Sequence, residues 1–307
     1  MELEVIRHKT AGDFFREFCP PEVEAAYSYQ LQRMFESGAA KEGDYFVVKD
    51  ADIPYLRVEI FRNNTRRLWE KEPELGRMAE ADELKIRNAL NLIFEFLDDE
   101  LYYPRIIDSL EISLMSDGLI AETMEKMCRK YGYNKYITLH EYELIPDPVK
   151  APAGGSNGNF KNITDYDPEI RFELVSSQDP ISKVFQCDQP EKIYQDYLDD
   201  SYLSEQNWKV ILDKGKLSGY FMPSFTSGLK NVLRLIAYSL PEEPDISLHN
   251  DILSEMIRIA EDQKTLKIEL PIREEDSGFI RAAEMSGGIL KNTVRKFAKN
   301  AVSRRGR

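Results

Sequence analysis

One pattern occurs twice in this chain. Leu110-Glu-Ile-Ser-Leu-Met115 runs into Ser116-Asp-Gly-Leu-Ile-Ala-Glu-Thr-Met124, and Leu266-Lys-Ile-Glu-Leu-Pro-Ile272 leads into Asp276-Ser-Gly-Phe-Ile-Arg-Ala-Ala-Glu284. Each copy reads as an alternating strand, a polar turn carrying a glycine (Gly118, Gly278) and an amphipathic helix. Between them lies Ile145-Pro-Asp-Pro-Val-Lys-Ala-Pro-Ala-Gly-Gly-Ser-Asn-Gly-Asn159, a joint by composition. A duplicated strand–turn–helix confines the chain to two similar halves, each packing helices on a sheet.

The rest of each half follows the same order. In the first, a strand near residues 3–6 precedes a helical stretch with Val23, Tyr27, Leu31 and Met34 at helical spacing. Tyr45-Phe-Val-Val48 and Leu56-Arg-Val-Glu-Ile60 flank a turn and read as a hairpin. A longer helix sets Ile86, Leu90, Ile93, Phe94 and Leu97 on one face, and Ile137-Thr-Leu-His-Glu-Tyr-Glu-Leu144 is a last strand. In the second half, Phe172 and Leu174 mark an opening strand, and Ile193, Tyr194, Tyr197 and Leu198 a helix. Asp213-Lys-Gly-Lys216 joins a second hairpin, with Gly supplying the positive φ a tight turn requires. A strand over residues 232–240 precedes a helix with Ile252, Leu253, Met256, Ile257 and Ala260 on one face, and a final strand lies near residues 294–297.

At 307 residues the chain accommodates two domains, each with its own core. A net charge of -13 argues against nucleic acid as a partner of the whole surface, because phosphate binding needs a basic face. Residues 289–307 are the local exception, with Lys291, Arg295, Lys296, Lys299, Arg304, Arg305 and Arg307 and no acid. They read as a strand with a solvated basic tail, or as a dock for an acidic protein partner or for RNA, although Phe297 is the one aromatic among the charges and supports little stacking on bases. Three cysteines without CxxC spacing suit free thiols in a reducing compartment. No apolar run reaches membrane-spanning length and the charged N-terminus is not a secretory signal, so a cytoplasmic protein is expected. His8, His140 and His249 share no ligand spacing with cysteine or carboxylate, and no metal is expected.

The element order resembles that of the GNAT (N-acetyltransferase) superfamily, and the duplication resembles its tandem members. In that family a Q/R-x-x-G-x-G/A loop after the fourth strand holds the pyrophosphate of acetyl-CoA on backbone N–H groups. The matching stretch here is Tyr238-Ser-Leu-Pro-Glu-Glu-Pro-Asp-Ile-Ser-Leu-His249, with Pro244, Asp245, Ser247 and His249 at the usual Arg and Gly positions. A second family landmark is a Tyr in the helix after the fifth strand, which protonates the departing thiolate. The matched positions hold Ala283 in the second half and, by either anchor, Cys128 or Thr123 in the first, while Asp276 stands at a family Asn.

The resemblance implies an α/β (α+β) fold of two tandem GNAT-like domains, each a mostly antiparallel mixed sheet with helices on both faces. The expected division is an N-terminal domain over residues 1–145, a linker over 146–166 and a C-terminal domain over 167–307. It further implies an N-acyltransferase that uses acetyl-CoA and a small-molecule or protein amine as acceptor. The second domain is the better host. Its Ala237, Ser239 and Leu240 backbone would pair with the pantetheine arm, Ser247, Leu248, His249 and Asn250 would meet the phosphates, and Tyr220 or Tyr238 would replace the missing acid. The alternative is a catalytically degenerate binding or scaffold protein acting through the inter-domain cleft or the basic C-terminus.

Overall fold

The computed structural model describes residues 1–7, 43–63, 66–76, 79–101, 109–115, 117–147, 160–179, 190–200, 203–226, 229–242, 244 and 246–300. By its internal contacts the chain divides into two compact units, Met1–Tyr136 with Arg295–Arg307, and Ile137–Val294. The composition of residues 146–166 placed the division elsewhere. The difference arises from long-range pairing: residues 139–144 pair with 268–273, and residues 295–300 pair with 109–114. Composition carries no record of partners so distant in sequence.

In the first unit, β1 (Glu2–Arg7), β2 (Gly43–Asp50) and β3 (Ile53–Asn63) form an antiparallel meander. The β2–β3 loop is Ala51-Asp52, both residues at positive φ, the twist that suits a two-residue hairpin. β4 (Arg66–Trp69) pairs antiparallel with β3 and parallel with β6 (Ser109–Leu114), and β5 (Glu74–Leu75) returns to β3. Residues 295–300 complete the sheet beside β6. Helices α1 (Glu83–Leu101) and α2 (Leu119–Lys130) pack on it. Ile86, Leu90, Ile93, Phe94 and Leu97 of α1 are all buried, as their spacing predicted, against Trp69, Ile112 and Met124. The helical stretch expected around residues 23–34 lies outside the described residues.

Both helices have sequence-encoded ends. Asp82 caps α1 by accepting from the Lys85 N–H at 2.7 Å. Gly132, at φ +75°, ends α2, where Tyr133 N–H donates to Cys128 O at 2.8 Å and Gly132 N–H to Arg129 O at 3.2 Å. Replacing Asp82 by Ala should lower stability by about 1 kcal/mol, readable as a shift in the urea midpoint. An unchanged midpoint would show that water serves the freed amide equally well.

The second unit takes residues 137–144 of β7 (Asn134–Leu144), then β8 (Phe160–Asn162), α3 (Pro168–Gln178), α4 (Pro190–Asp200), β9 (Lys209–Asp213), β10 (Lys216–Thr226) and β11 (Leu229–Ser239). It continues through α5 (Ile246–Asp262), β12 (Lys267–Arg273), α6 (Ser277–Met285) and residues 289–294 of β13 (Ile289–Asn300). Its strand order runs β7-β12-β11-β10-β9-β8, antiparallel except for the parallel β11–β12 pair. Alternation along β10 sends Phe221 to a core with α5 and α6, and Tyr220 and Met222 to a core with α3 and α4. Helices therefore cover both faces of this sheet.

Two expectations need correction here. Phe172 and Leu174 do not open a strand; they lie in α3, which starts at Asp167-Pro168 with the proline at its first position. Adjacent Leu174 and Val175 are both buried, a helical rather than alternating signature. The opening strand is β8, inside the stretch read as linker, where Phe160 pairs with Ile211. The final strand, expected near residues 294–297, is longer and runs from Ile289 through Asn300. Lys296 pairs with the buried Glu111 at 2.8 Å, Arg295 with Asp117 at 2.9 Å, Lys299 with Asp98, and Lys291 with Glu143 at 3.7 Å. Arg304, Arg305 and Arg307 lie outside the described residues. No helix among those described is long and apolar enough to cross a membrane.

Candidate functional site

The geometry that matters lies at the parallel pair of the second unit. β11 and β12 pair over three positions only, Val232 with Lys267, Leu233 with Ile268 and Arg234 with Glu269. Just beyond, β11 carries a bulge: Pro223 faces Leu235 and Met222 faces Ala237, leaving Ile236 as the extra residue. A bulge bends and twists its strand, and beyond Arg234–Glu269 β11 and β12 no longer pair, which leaves a gap in the ladder between them. Pro223, which has no N–H, sits where the ladder is already interrupted.

The bulge also reverses the alternation of β11. Leu233 and Leu235 face the α5–α6 core, and so does Tyr238, which a regular strand would point away. Its hydroxyl reaches to the far side of the gap, accepting the backbone N–H of Arg273 at 2.7 Å and donating to Asp276 Oδ2 at 2.6 Å. Arg273 Nε donates to the same Oδ2 at 2.8 Å, and the guanidinium lies 4.6 Å from the Tyr238 ring centre. Burial first, then the Asp276 carboxylate, pushes the Tyr238 phenol far above its ordinary range, so it stays protonated at physiological pH.

Tyr220 pairs with Ser239 across β10 and β11, but its side chain faces the α3–α4 core. It is completely buried and its hydroxyl has no hydrogen-bond partner among the described residues. Burial raises this phenol well above 10; the Asp179 carboxylate adds to the rise and the Arg273 guanidinium opposes it. Asp179, at the C-terminal end of α3, is fully buried and accepts from the Tyr197 hydroxyl. Tyr220 and Tyr238 thus lie on opposite faces of one sheet, and both respond to Arg273.

The residues expected to hold a nucleotide divide. Ala237 is half-buried opposite Met222, Ser239 is buried, and Leu240 packs on the α5–α6 core. Leu248 and His249 turn inward, with His249 against the Phe279 ring at 5.6 Å. A Cβ on Gly278 would come within 2.8 Å of the His249 ring, so the bare glycine is what admits it. Ser247 and Asn250 lie on the outer side of the first turn of α5. Ser247 lines a pocket of about 640 Å³ with Pro241, Glu242 and Pro244 on one side and Asp213 and Lys214 of the β9–β10 turn on the other. Two carboxylates and one ammonium make a poor diphosphate cradle, and prolines supply no N–H there.

The family Tyr positions are occupied as the sequence indicated. Ala283 is buried; Thr123 Oγ1 donates to Leu119 O at 2.6 Å; and Cys128 is a buried thiol that burial pushes up to about 12. His140 meets Thr293 Oγ1 at 3.1 Å. Among the described residues no group of His, Cys, Asp and Glu could hold a metal ion. Asp179 and Arg273 escaped the sequence reading, because nothing in their local sequence joins the end of α3 or of β12 to the Tyr220 phenol their charges act on.

No protein-family model matches the chain, and no curated protein sequence does. Solved structures do. A GCN5-related N-acetyltransferase from Sphaerobacter thermophilus superposes with a TM-score of 0.57 at 11% identity, covering 98% of this chain and 96% of that one. A tandem GNAT protein from the clavulanic acid biosynthesis pathway gives 0.54 at 11% identity, covering 98% and 99%. A GCN5-related glucosamine N-acetyltransferase region of a fungal multi-domain GH3 β-N-acetylglucosaminidase gives 0.54 at 10%, covering 97% of this chain and 38% of that one. At such identities the likeness establishes the fold and nothing finer.

Proposed function

We propose, from the premise that the chain carries the fold of the GCN5-related N-acetyltransferases, that its second unit transfers an acyl group from acyl-CoA to an amine. The observation that supports this is the gap beside the bulge at Ile236. The facing edges of two strands that stop pairing present backbone N–H and C=O groups, which an extended, amide-bearing arm can satisfy as an added strand. The pantetheine portion of CoA is such an arm. Bound there, the thioester supplies its acyl carbon to the amine, so that the C–N bond forms, the C–S bond breaks, the amine releases its proton to water, from which the acid is restored, and the thiol departs.

This chain's own residues then have distinct tasks. The backbone from Leu235 to Ser239 would hold the arm. The Tyr220 hydroxyl, buried and without a hydrogen-bond partner among the described residues, would give its proton to the departing sulfur, with Asp179 and Arg273 setting its electrostatic surroundings. The pocket beside Ser247 would add little, because Asp213 and Glu242 oppose a diphosphate and Lys214 alone attracts it. S-acetylpantetheine should therefore bind within about threefold of acetyl-CoA, a difference below 1 kcal/mol. Titration calorimetry with both ligands tests this, and a protein that binds neither at millimolar concentration excludes the reading. Thermal stabilisation offers a second readout, about 2.7 kcal/mol at a hundred times the dissociation constant.

The proline-interrupted loop after β11 favours one further reading, a protein that binds in the gap without transfer. Thiol release in the presence of a panel of amino acids, amino sugars and polyamines separates the two.

A further inference from the structure

We infer that Tyr238 is a displaceable plug, which closes the β11–β12 gap in the absence of ligand and must withdraw before an arm can enter. The inference rests on the gap being the ligand slot. Beyond Arg234 and Glu269, the β12 edge that faces β11 has lost its strand partner. The Arg273 N–H sits on that stretch, and Tyr238 supplies the acceptor the ladder no longer provides, at 2.7 Å. Phe279 meets the Tyr238 ring edge-on at 5.5 Å, and His249 backs Phe279. Tyr238 thereby copies one hydrogen bond of a bound strand using a side chain.

The polar end of this plug is held by few contacts. Its hydroxyl makes two hydrogen bonds, both to groups with an alternative: Asp276 keeps Arg273 Nε, and Arg273 N–H can pass to an incoming carbonyl. An entering amide arm therefore exchanges one acceptor for another without stranding a buried donor. Tyr238 itself would rotate toward the mouth of the gap, where Asp276 stands just before the start of α6.

Hydrogen exchange at the Arg273 amide, together with S-acetylpantetheine titration, tests the inference on wild type and Tyr238→Phe. The variant keeps the ring against Phe279 and loses the hydroxyl. Exchange at Arg273 should quicken at least tenfold, and the dissociation constant for S-acetylpantetheine should fall about tenfold. Asp276→Asn, which weakens the hold on the same hydroxyl, should shift both in the same direction by less. Unchanged exchange at Arg273 overturns the plug, and so does equal or weaker binding by Tyr238→Phe. Tighter binding by the variant without thiol release from either protein would keep the plug and discard acyl transfer.

Discussion

Tyr220→Phe is expected to abolish acyl transfer while leaving the protein as stable as before or more so. A positioned general acid contributes roughly 10²–10⁴-fold to rate, so thiol release should fall by at least about 100-fold. The stability side follows from the same hydroxyl. It is buried and has no partner among the described residues, and an unmet buried donor costs on the order of 1–3 kcal/mol. Phenylalanine keeps the ring against Trp208, Val210 and Met222, sheds that cost and leaves no cavity. A hydroxyl that served only a structural hydrogen bond would give the opposite pair of results. Activity retained by Tyr220→Phe, measured as thiol release from acetyl-CoA, removes the tyrosine from the reaction; a lowered melting temperature shows that the hydroxyl is satisfied in solution.

Periodicity carried much of this fold. The α1 face of Ile86, Leu90, Ile93, Phe94 and Leu97 is buried as spaced, and so is the α5 face of Ile252, Leu253, Met256, Ile257 and Ala260. Lys214-Gly215 makes the second hairpin turn with both residues at positive φ. Where local pattern and long-range pairing diverge, the sequence was silent. Phe172 and Leu174 alternate over so short a run that only the buried neighbour Val175 distinguishes helix from strand. The division into units depends on residues 139–144 finding 268–273, which no composition shift records.

The candidate site was legible as residue types and hidden as geometry. Tyr220 and Tyr238 stood out as strand aromatics, yet residues 232–240 read as one uninterrupted strand. The bulge at Ile236 appears only in the register against β10, and it alone sends Tyr238 to the α5–α6 face. Asp179 follows the end of α3 and Arg273 ends β12, so nothing in their local sequence joins them to Tyr220. Chemistry that depends on a single extra residue in one strand leaves almost no periodic trace.

Among the described glycines of the second unit, Gly219→Ala should be the most damaging, at about 3 kcal/mol. A Cβ at that position would lie 2.3 Å from the Ser239 carbonyl oxygen and 3.2 Å from Ile211 Cδ1. The obstructing atom is backbone, and it belongs to the strand that forms one wall of the gap. Ser239 cannot yield alone, because it is paired with Tyr220 in the same ladder. Relief therefore means separating β10 from β11 beside the bulge that adjoins the gap. At roughly 2–4 °C per kcal/mol for a unit of this size, melting should drop by about 6–12 °C. Gly215→Ala provides the internal control: its φ of +80° makes alanine strained by about 1–2 kcal/mol, but no atom lies within 4 Å of the added carbon. Gly219→Ala must therefore melt below Gly215→Ala. The reverse order would mean that β10 and β11 are not held as close at Ser239 as the register requires, and the gap would lose one wall of its definition.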